Sequence, residues 1–136
     1  MTAASRRQRG HDTEPRTWDI RLPWTLPPLS MNDRTHWRVR ARKVADTRAA
    51  TFALVNRRLP IFAPDHVAVT LTYYPRDSRR RDADNLVATL KAVCDAIVDA
   101  RIVPDDTPRY MTKHMPVIAE PDGDPRLVLT ITEVLT

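Results

Sequence analysis

Residues 67–101 have the sequence VAVTLTYYPRDSRRRDADNLVATLKAVCDAIVDAR, and this stretch decides the fold. Its first eight residues, 67–74, are rich in β-branched and aromatic side chains, which is typical of a strand. From Asp84 to about Arg101 the apolar residues recur at helical spacing and predict a core-facing stripe. The members of that stripe are Leu86, Leu90, Val93 and Ile97. The centre of the chain is therefore a strand and a helix joined by an arginine-rich loop.

Two further elements are predicted before this central unit. Residues 18–22 alternate apolar and polar side chains, as a half-buried strand does. Residues from about 35 to 58 predict an amphipathic helix with one strongly basic face. We expect one face of this helix to carry Trp37, Ala41, Val44, Arg48, Thr51, Leu54 and Val55. The other face is then expected to carry Arg38, Arg40, Arg42 and Lys43.

Two more strands are predicted after the central unit, over residues 110–119 and 127–134. A turn rich in Pro, Gly and Asp at residues 121–125 predicts a hairpin-like connection between them. The element order β-α-β-α-β-β predicts an α+β fold, a single two-layer domain in which two main helices pack on a mixed β-sheet of about four strands. Residues 1–16 are polar and aperiodic and predict a disordered basic arm, so the folded domain is expected to span residues 17–136.

Composition narrows the class of protein. The formal net charge of +5 favours a polyanionic partner such as nucleic acid, although a merely soluble basic protein has the same excess. Only two glycines are present, which argues against the glycine-rich loops that cradle nucleotide phosphates. The single cysteine, Cys94, excludes an intramolecular disulfide and a cysteine-based zinc site, and fits a reducing cytoplasm. No apolar run approaches the ~20 residues of a membrane span, so we expect a cytoplasmic protein without membrane segments.

The candidate chemistry lies where the central strand leads into the central helix. Asp82 and Asp84 stand two residues apart directly after Arg79, Arg80 and Arg81. Carboxylates beside a phosphate-binding patch repel DNA unless a divalent cation reverses their charge. Mg²⁺ prefers oxygen ligands, usually one or two carboxylates together with waters and substrate phosphate. Asn85 can add a carbonyl ligand or hold a water.

Ordinary structural roles for these aspartates stay open at this point. Asp84 is a suitable N-cap for a helix that starts at Asn85. Asp82 can form a surface ion pair with a neighbouring arginine, which contributes little to stability. Neither role requires a metal.

A lysine and a second acidic pair extend the candidate site. Lys91 and Asp95 fall on the helix face of Asp84, where Lys91 can stabilise charge near a phosphate or simply pair with Asp95. Asp105 and Asp106 follow the helix, and a strand running back along the sheet can bring them toward the site. An acidic pair is also common in ordinary turns.

These motifs together resemble the RusA family of Holliday-junction resolvases. The similar segments are Arg81-Asp82-Ala83-Asp84-Asn85-Leu86, Leu90-Lys91-Ala92, Asp95-Ala96 and Ile102-Val103-Pro104-Asp105-Asp106. An earlier segment, Leu29-Ser30-Met31-Asn32 with Arg34, His36, Trp37 and Arg40, is also similar to that family. The resemblance spans roughly residues 20–134. It departs at the lysine, because Ala88 has the family spacing and Lys91 lies three residues later.

The resemblance implies a homodimeric endonuclease of bacterial, prophage or phage type. Such an enzyme cuts four-way DNA junctions by paired symmetric nicks and needs Mg²⁺, for which we expect Mn²⁺ to substitute. The implied catalytic residues are Asp82, Asp84, Lys91 and Asp106, with Asp82, Asp84 and Asp106 as metal ligands and Asn85 and Asp105 in support. The DNA phosphates are then expected to contact Arg34, Arg38, Arg40, Lys43, Arg79, Arg80 and Arg81. Two alternatives are a non-catalytic branched-DNA-binding module of this fold and an RNA-directed metal nuclease.

Overall fold

The computed structural model describes residues 15–31 and 34–135. Its elements are β1 (Thr17–Arg21), α1 (Trp37–Arg58), β2 (His66–Tyr74), a short 3-10 helix (Ala83–Leu86), α2 (Val87–Asp99), β3 (Met111–Lys113), β4 (Val117–Ile118) and β5 (Arg126–Val134). The predicted α+β architecture of two main helices on a mixed sheet is confirmed. Within the described residues the sheet has five strands rather than about four. The strand predicted over residues 110–119 is divided into β3 and β4, with Pro116, which has no amide proton, in the interval.

The predicted basic arm lies mostly outside the described residues, which begin at residue 15. Arg16 at its end is attached to the sheet. The Arg16 carbonyl accepts a hydrogen bond from the Glu133 amide at 2.8 Å, and its guanidinium pairs with the Glu133 carboxylate. The ordered chain therefore extends at least one residue beyond the predicted boundary.

The order of strands in the sheet is β1-β5-β2, with β3 and β4 following each other along the outer side of β2. β5 runs antiparallel to β1 and β2, whereas β3 and β4 run parallel to β2. The predicted hairpin-like connection is therefore wrong, because β4 and β5 lie on opposite sides of β2. Residues 119–125 cross the carboxyl end of β2, between Ile118 opposite Tyr73 and Arg126 opposite Tyr74. β5 pairs with β2 along nine residues, which offers far more ladder hydrogen bonds than the two-residue β4.

The core lies between one face of the sheet and α2. The inward residues of β2 and β5 are buried, namely Val67, Val69, Leu71, Tyr73, Leu127, Leu129 and Ile131. The predicted helix stripe packs onto them and is confirmed, since Leu86, Leu90, Val93 and Ile97 are all buried. Cys94 is fully buried in this layer, and its burial raises the pKa of the thiol to about 12, as expected for a core cysteine.

Helix α1 packs mainly against α2 and touches β1. Its buried residues are Thr47, Thr51 and Val55, spaced four apart. Three residues of the predicted face are exposed instead, namely Trp37, Ala41 and Arg48. Trp37 is the first residue of the helix and is 68% exposed, and Arg48 pairs with Asp99 at the far end of α2. Among the described residues, no helix is long and apolar enough to cross a membrane.

The loop before α1 is fixed to α2 by one buried side chain. The Thr89 hydroxyl donates to the Leu29 carbonyl at 2.9 Å and accepts from the Leu29 amide at 3.3 Å. Thr89 and Leu29 are 0% and 1% exposed. This contact joins residues 60 apart and places the loop beside the start of α2.

We expect Thr89→Val to lower the free energy of unfolding by about 1–3 kcal/mol, because it removes the hydrogen-bonding partner of two buried backbone groups. Urea denaturation measures the loss. Thr51→Val is the matched control, since Thr51 is equally buried but its hydroxyl donates only to Thr47 within the same helix. Equal losses in the two variants would contradict this account.

Candidate metal and nucleic-acid site

The junction between β2 and α2 presents Asp82 and Asp84 at the carboxyl end of β2. The Asp82 side chain accepts a hydrogen bond from the Asp84 amide at 3.1 Å and caps the 3-10 helix. Asp84 lies inside that helix, so the suggestion that Asp84 caps a helix starting at Asn85 is wrong. Helix α2 then begins at Val87 and has no side-chain cap of its own. The capping hydrogen bond is accepted by one oxygen of the Asp82 carboxylate and therefore orients that side chain.

The neighbouring arginines are bound by a different carboxylate, that of Asp77. Arg79 contacts both Asp77 oxygens at 3.0 Å, and Arg81 donates to Asp77 Oδ1 at 2.8 Å and to the Asp77 carbonyl at 2.6 Å. Arg79 and then Arg81 hold the pKa of Asp77 well below its usual range. Asp77 is therefore charged throughout the physiological range and organises the arginine-rich loop.

This arrangement leaves Asp82 and Asp84 exposed. Within residues 15–31 and 34–135, neither carboxylate takes part in an ion pair. The surface ion pair considered for Asp82 is thus absent from the described part of the chain. Both carboxylates beside the arginine-rich loop are therefore accessible to a cation from solution.

A second group of charges surrounds Asp106. Lys91 Nζ lies 2.9 Å from Asp95 Oδ1 and 3.2 Å from Asp106 Oδ2, and Lys113 Nζ lies 2.7 Å from the same Asp106 oxygen. Asp106 thus contacts Lys91, 15 residues earlier in sequence, whereas its expected approach to the site at Asp84 stays a prediction. The expected Lys91–Asp95 pair is confirmed. Asp105 is exposed beside them, and its side chain accepts from the Asp106 amide at 2.7 Å.

Lys113 was not predicted from the sequence as a site residue. Strand alternation puts it on the same face of β3 as the buried Met111, although Lys113 itself is exposed. A lysine on that face is stabilised by a nearby anion. Asp106, with its side chain 20% exposed, supplies one.

The two lysines set the ionisation of Asp106. Lys113 first, and Lys91 after it, lower the pKa of Asp106 to about 2, against the opposing effect of burial. Asp95 and then Asp106 raise the pKa of Lys91 above its usual value. Asp106 and Lys91 therefore stay charged together.

The described residues do not bring all the implied metal ligands together. They contain no group of three or more His, Cys, Asp and Glu side chains placed to hold a metal ion. Asp84 and Lys91 are seven residues apart, which is about 10 Å along a helix axis. Asp82 and Asp84 fit Mg²⁺ by donor chemistry, since that ion binds through one or two carboxylates with waters and phosphate oxygens. Participation of Asp106 as a third ligand stays a prediction.

The basic start of α1 adjoins the same region. Arg34, Arg38 and Lys43 are exposed, while Arg40 is half-buried and donates to the Ser30 carbonyl at 3.2 Å. Trp37 is stacked on His36, with ring centroids 5.7 Å apart, and the Arg38 guanidinium lies 5.2 Å from its ring centroid. Exposed cations around an exposed aromatic ring form a surface suited to nucleic acid.

Comparisons with known proteins indicate no activity for this chain. No family model matches the chain. An uncharacterized protein of Xylella fastidiosa (strain Temecula1) is 28% identical over 119 residues, which are 85% of this chain and 76% of that protein. The similarity covers most of the folded chain, and the name of that protein indicates no activity. The resemblance to the RusA family therefore stays a prediction.

We expect Lys113→Met to raise the pKa of Asp106 by about one unit or more, because it removes the closer of two cations. Lys91→Met should raise it by less. Carboxyl-carbon NMR titration measures both values, with Asp99, which pairs with Arg48, as the internal reference. An unchanged Asp106 pKa in Lys113→Met would refute the assignment.

The same ion pairs predict a pH dependence of stability. The folded-state pKa of Asp106 is lowered, so its contribution is complete above the usual carboxyl pKa of about 4 and disappears as the pH falls toward 2. The difference in unfolding free energy between wild type and Lys113→Met should shrink across that window. A difference that does not change with pH would show that the pair contributes nothing to stability.

Proposed function

We propose that this protein is a Mg²⁺-dependent, structure-selective endonuclease of the RusA type, which resolves Holliday junctions by paired symmetric nicks. One observation carries the proposal. Asp82 and Asp84 are exposed and lack ion pairs within the described residues, while the arginines beside them are bound to Asp77. Two available carboxylates next to a phosphate-binding loop are the expected arrangement for a metal that bridges protein and phosphate.

Each charged group has a defined part in this proposal. Asp82 and Asp84 would hold Mg²⁺, which supplies an activated water and stabilises charge on the leaving oxygen when it is bound. Lys91 and Lys113 carry positive charge near the reacting phosphate. The lysine side chain is long enough for Lys91 to exchange a carboxylate partner for that phosphate. We expect Mn²⁺ to replace Mg²⁺, since both accept oxygen ligands.

The arginine loop supports binding of the DNA backbone. Arg79 and Arg81 are held in place by Asp77, so their guanidinium groups lose little conformational entropy on contact with phosphate. Arg80, between them, is exposed. Residues 76–81 contain four arginines and one aspartate, and this excess of positive charge should make binding strongly salt-dependent.

A homodimer is part of the proposal. A four-way junction has two related strands to cut, and a dimer with a twofold axis places two identical sites in matching positions. Each subunit would then make one of the paired nicks.

One observation favours a second function, that of a non-catalytic branched-DNA-binding module. Asp106 is bound by two lysines, and no group of three metal-binding side chains is assembled in the described residues. Such a module would keep the basic surfaces and the salt-dependent binding. It would show no metal-dependent cleavage.

We expect the purified protein to make paired nicks in a labelled mobile four-way junction with Mg²⁺, and none with EDTA or on matched linear duplex. Asp82→Asn should slow cleavage by about two orders of magnitude or more, because it weakens a charge-stabilising metal site. Asp65→Asn is the matched control, since Asp65 is exposed just before β2, at the end of the strand opposite to Asp82. Binding without cleavage under any metal would establish the binding module instead, and cleavage of structured RNA alone would indicate an RNA nuclease.

Phosphate contact by Arg80 is tested through the salt dependence of junction binding. We expect Arg80→Gln, measured without metal, to reduce the slope of log K against log salt by about one, because one phosphate contact is lost. Arg101→Gln is the control, because Arg101 lies beyond the other end of α2. Identical slopes for the wild type and Arg80→Gln would remove Arg80 from the interface.

A further inference from the structure

A cavity of about 850 Å³ opens directly beside Asp82. Most of its wall is apolar and comes from four parts of the chain, the loop before α1, the carboxyl end of β2, the 3-10 helix and strand β4. These wall residues include Leu26, Leu29, Tyr73, Leu86 and Ile118. The polar part of its rim includes Arg80, Arg81 and Asp82. Cleavage by a metal held at Asp82 and Asp84 does not require any of the apolar wall.

The chemistry of the cavity points to a ligand with a flat apolar part joined to an anion. Leu26 is 66% exposed at the cavity, although the neighbouring Leu29 is fully packed. Guanidinium groups on the rim match the charge of a phosphate, and the apolar wall matches the face of an aromatic ring. The volume lies within the range of about 300–1,000 Å³ that is usual for small-ligand pockets. A nucleotide combines both parts.

We propose that this cavity, the base pocket, receives one nucleobase of the DNA strand whose phosphate lies at Asp82 and Asp84. The inference rests on the proposed function, and it adds a binding site for an unstacked base. Removing a base from the stack costs a few kcal/mol in a regular duplex and least where the base is already unpaired, as at a branch point. The pocket therefore favours branched DNA over linear duplex without contacting the junction as a whole.

The walls of the base pocket are held in place before any ligand binds. Leu29 is hydrogen-bonded to Thr89 on α2, which fixes the loop side. Arg81 is bound by Asp77, and its guanidinium lies 5.8 Å from the ring centroid of Tyr73, which fixes the rim. Since these groups are already ordered, binding a base loses little additional conformational entropy.

The test uses junctions that carry 2-aminopurine at each branch-point position in turn, with one arm position as the reference. The fluorescence of 2-aminopurine increases when the base leaves the stack. All measurements are made without metal, so they do not depend on cleavage. We expect wild-type protein to increase the signal severalfold at one branch-point position and to leave the arm position unchanged.

Leu26→Ser is the decisive variant, since Leu26 is exposed and its replacement does not disturb the core. It should abolish the fluorescence increase and lower the preference for junction over duplex about fivefold or more, as expected on loss of a base contact. Ile61→Ser is the matched control, because Ile61 is a fully exposed aliphatic residue in the loop before β2. It should behave as wild type.

The outcomes separate this inference from the proposed function. A junction that is bound and, with Mg²⁺, cleaved without any fluorescence increase overturns the base pocket alone. An increase that persists unchanged in Leu26→Ser shows that bases unstack elsewhere and also overturns it. Failure to bind the junction at all overturns the proposed function and the base pocket together.

Discussion

Burial of the inward face of β2 beneath α2 determines where every candidate functional group lies. Four side chains of that face are almost wholly buried, and the apolar stripe of α2 covers them. The chain must therefore leave β2 at its carboxyl end and run back along α2 toward the opposite end of the strand. The loop at the first turn carries Asp82 and Asp84, while the loop after α2 leads Asp106 back to the middle of the helix. If this packing were lost, none of these contacts would form.

Charge is distributed over this framework by selective pairing. Asp77 forms ion pairs with Arg79 and Arg81, and Asp106 forms ion pairs with Lys91 and Lys113. The strongest local attractions between charges are therefore satisfied within these two groups. Asp82 and Asp84 lie at the surface, where hydration offsets their mutual repulsion. Under the proposed function a bound cation would remove that repulsion and attract a phosphate in the same step. The enzyme and the binding module differ in whether this last interaction occurs.

The ionisation of Asp106 matters both for its ion pairs and for the proposed binding of a metal. Its carboxylate is kept charged by two lysines, and a charged carboxylate is the form that can bind a metal. Were Asp106 to exchange the lysines for a metal, the Lys113 ammonium would become available to a phosphate, while Lys91 would keep Asp95 as a partner. The same ion pairs that stabilise the fold without metal are thus compatible with the proposed chemistry.

Local pattern determined most of the elements of this protein, although it did not show that the strand predicted over residues 110–119 is divided in two. The stripe on α2, the strand character of β2, the α+β class and the burial of Cys94 follow from side-chain periodicity, because the period of a helix or strand decides which residues share a face. Sequence also indicated the candidate aspartates and the Lys91–Asp95 pair. Partner choice was decided only by the tertiary structure. β5 pairs with β2 instead of forming a hairpin with β4, Trp37 lies outside the core, Asp77 rather than Asp82 binds the arginines, and Lys113 joins Asp106. The physical reason is that pairing depends on distances between residues far apart in sequence, and residue type does not encode those distances.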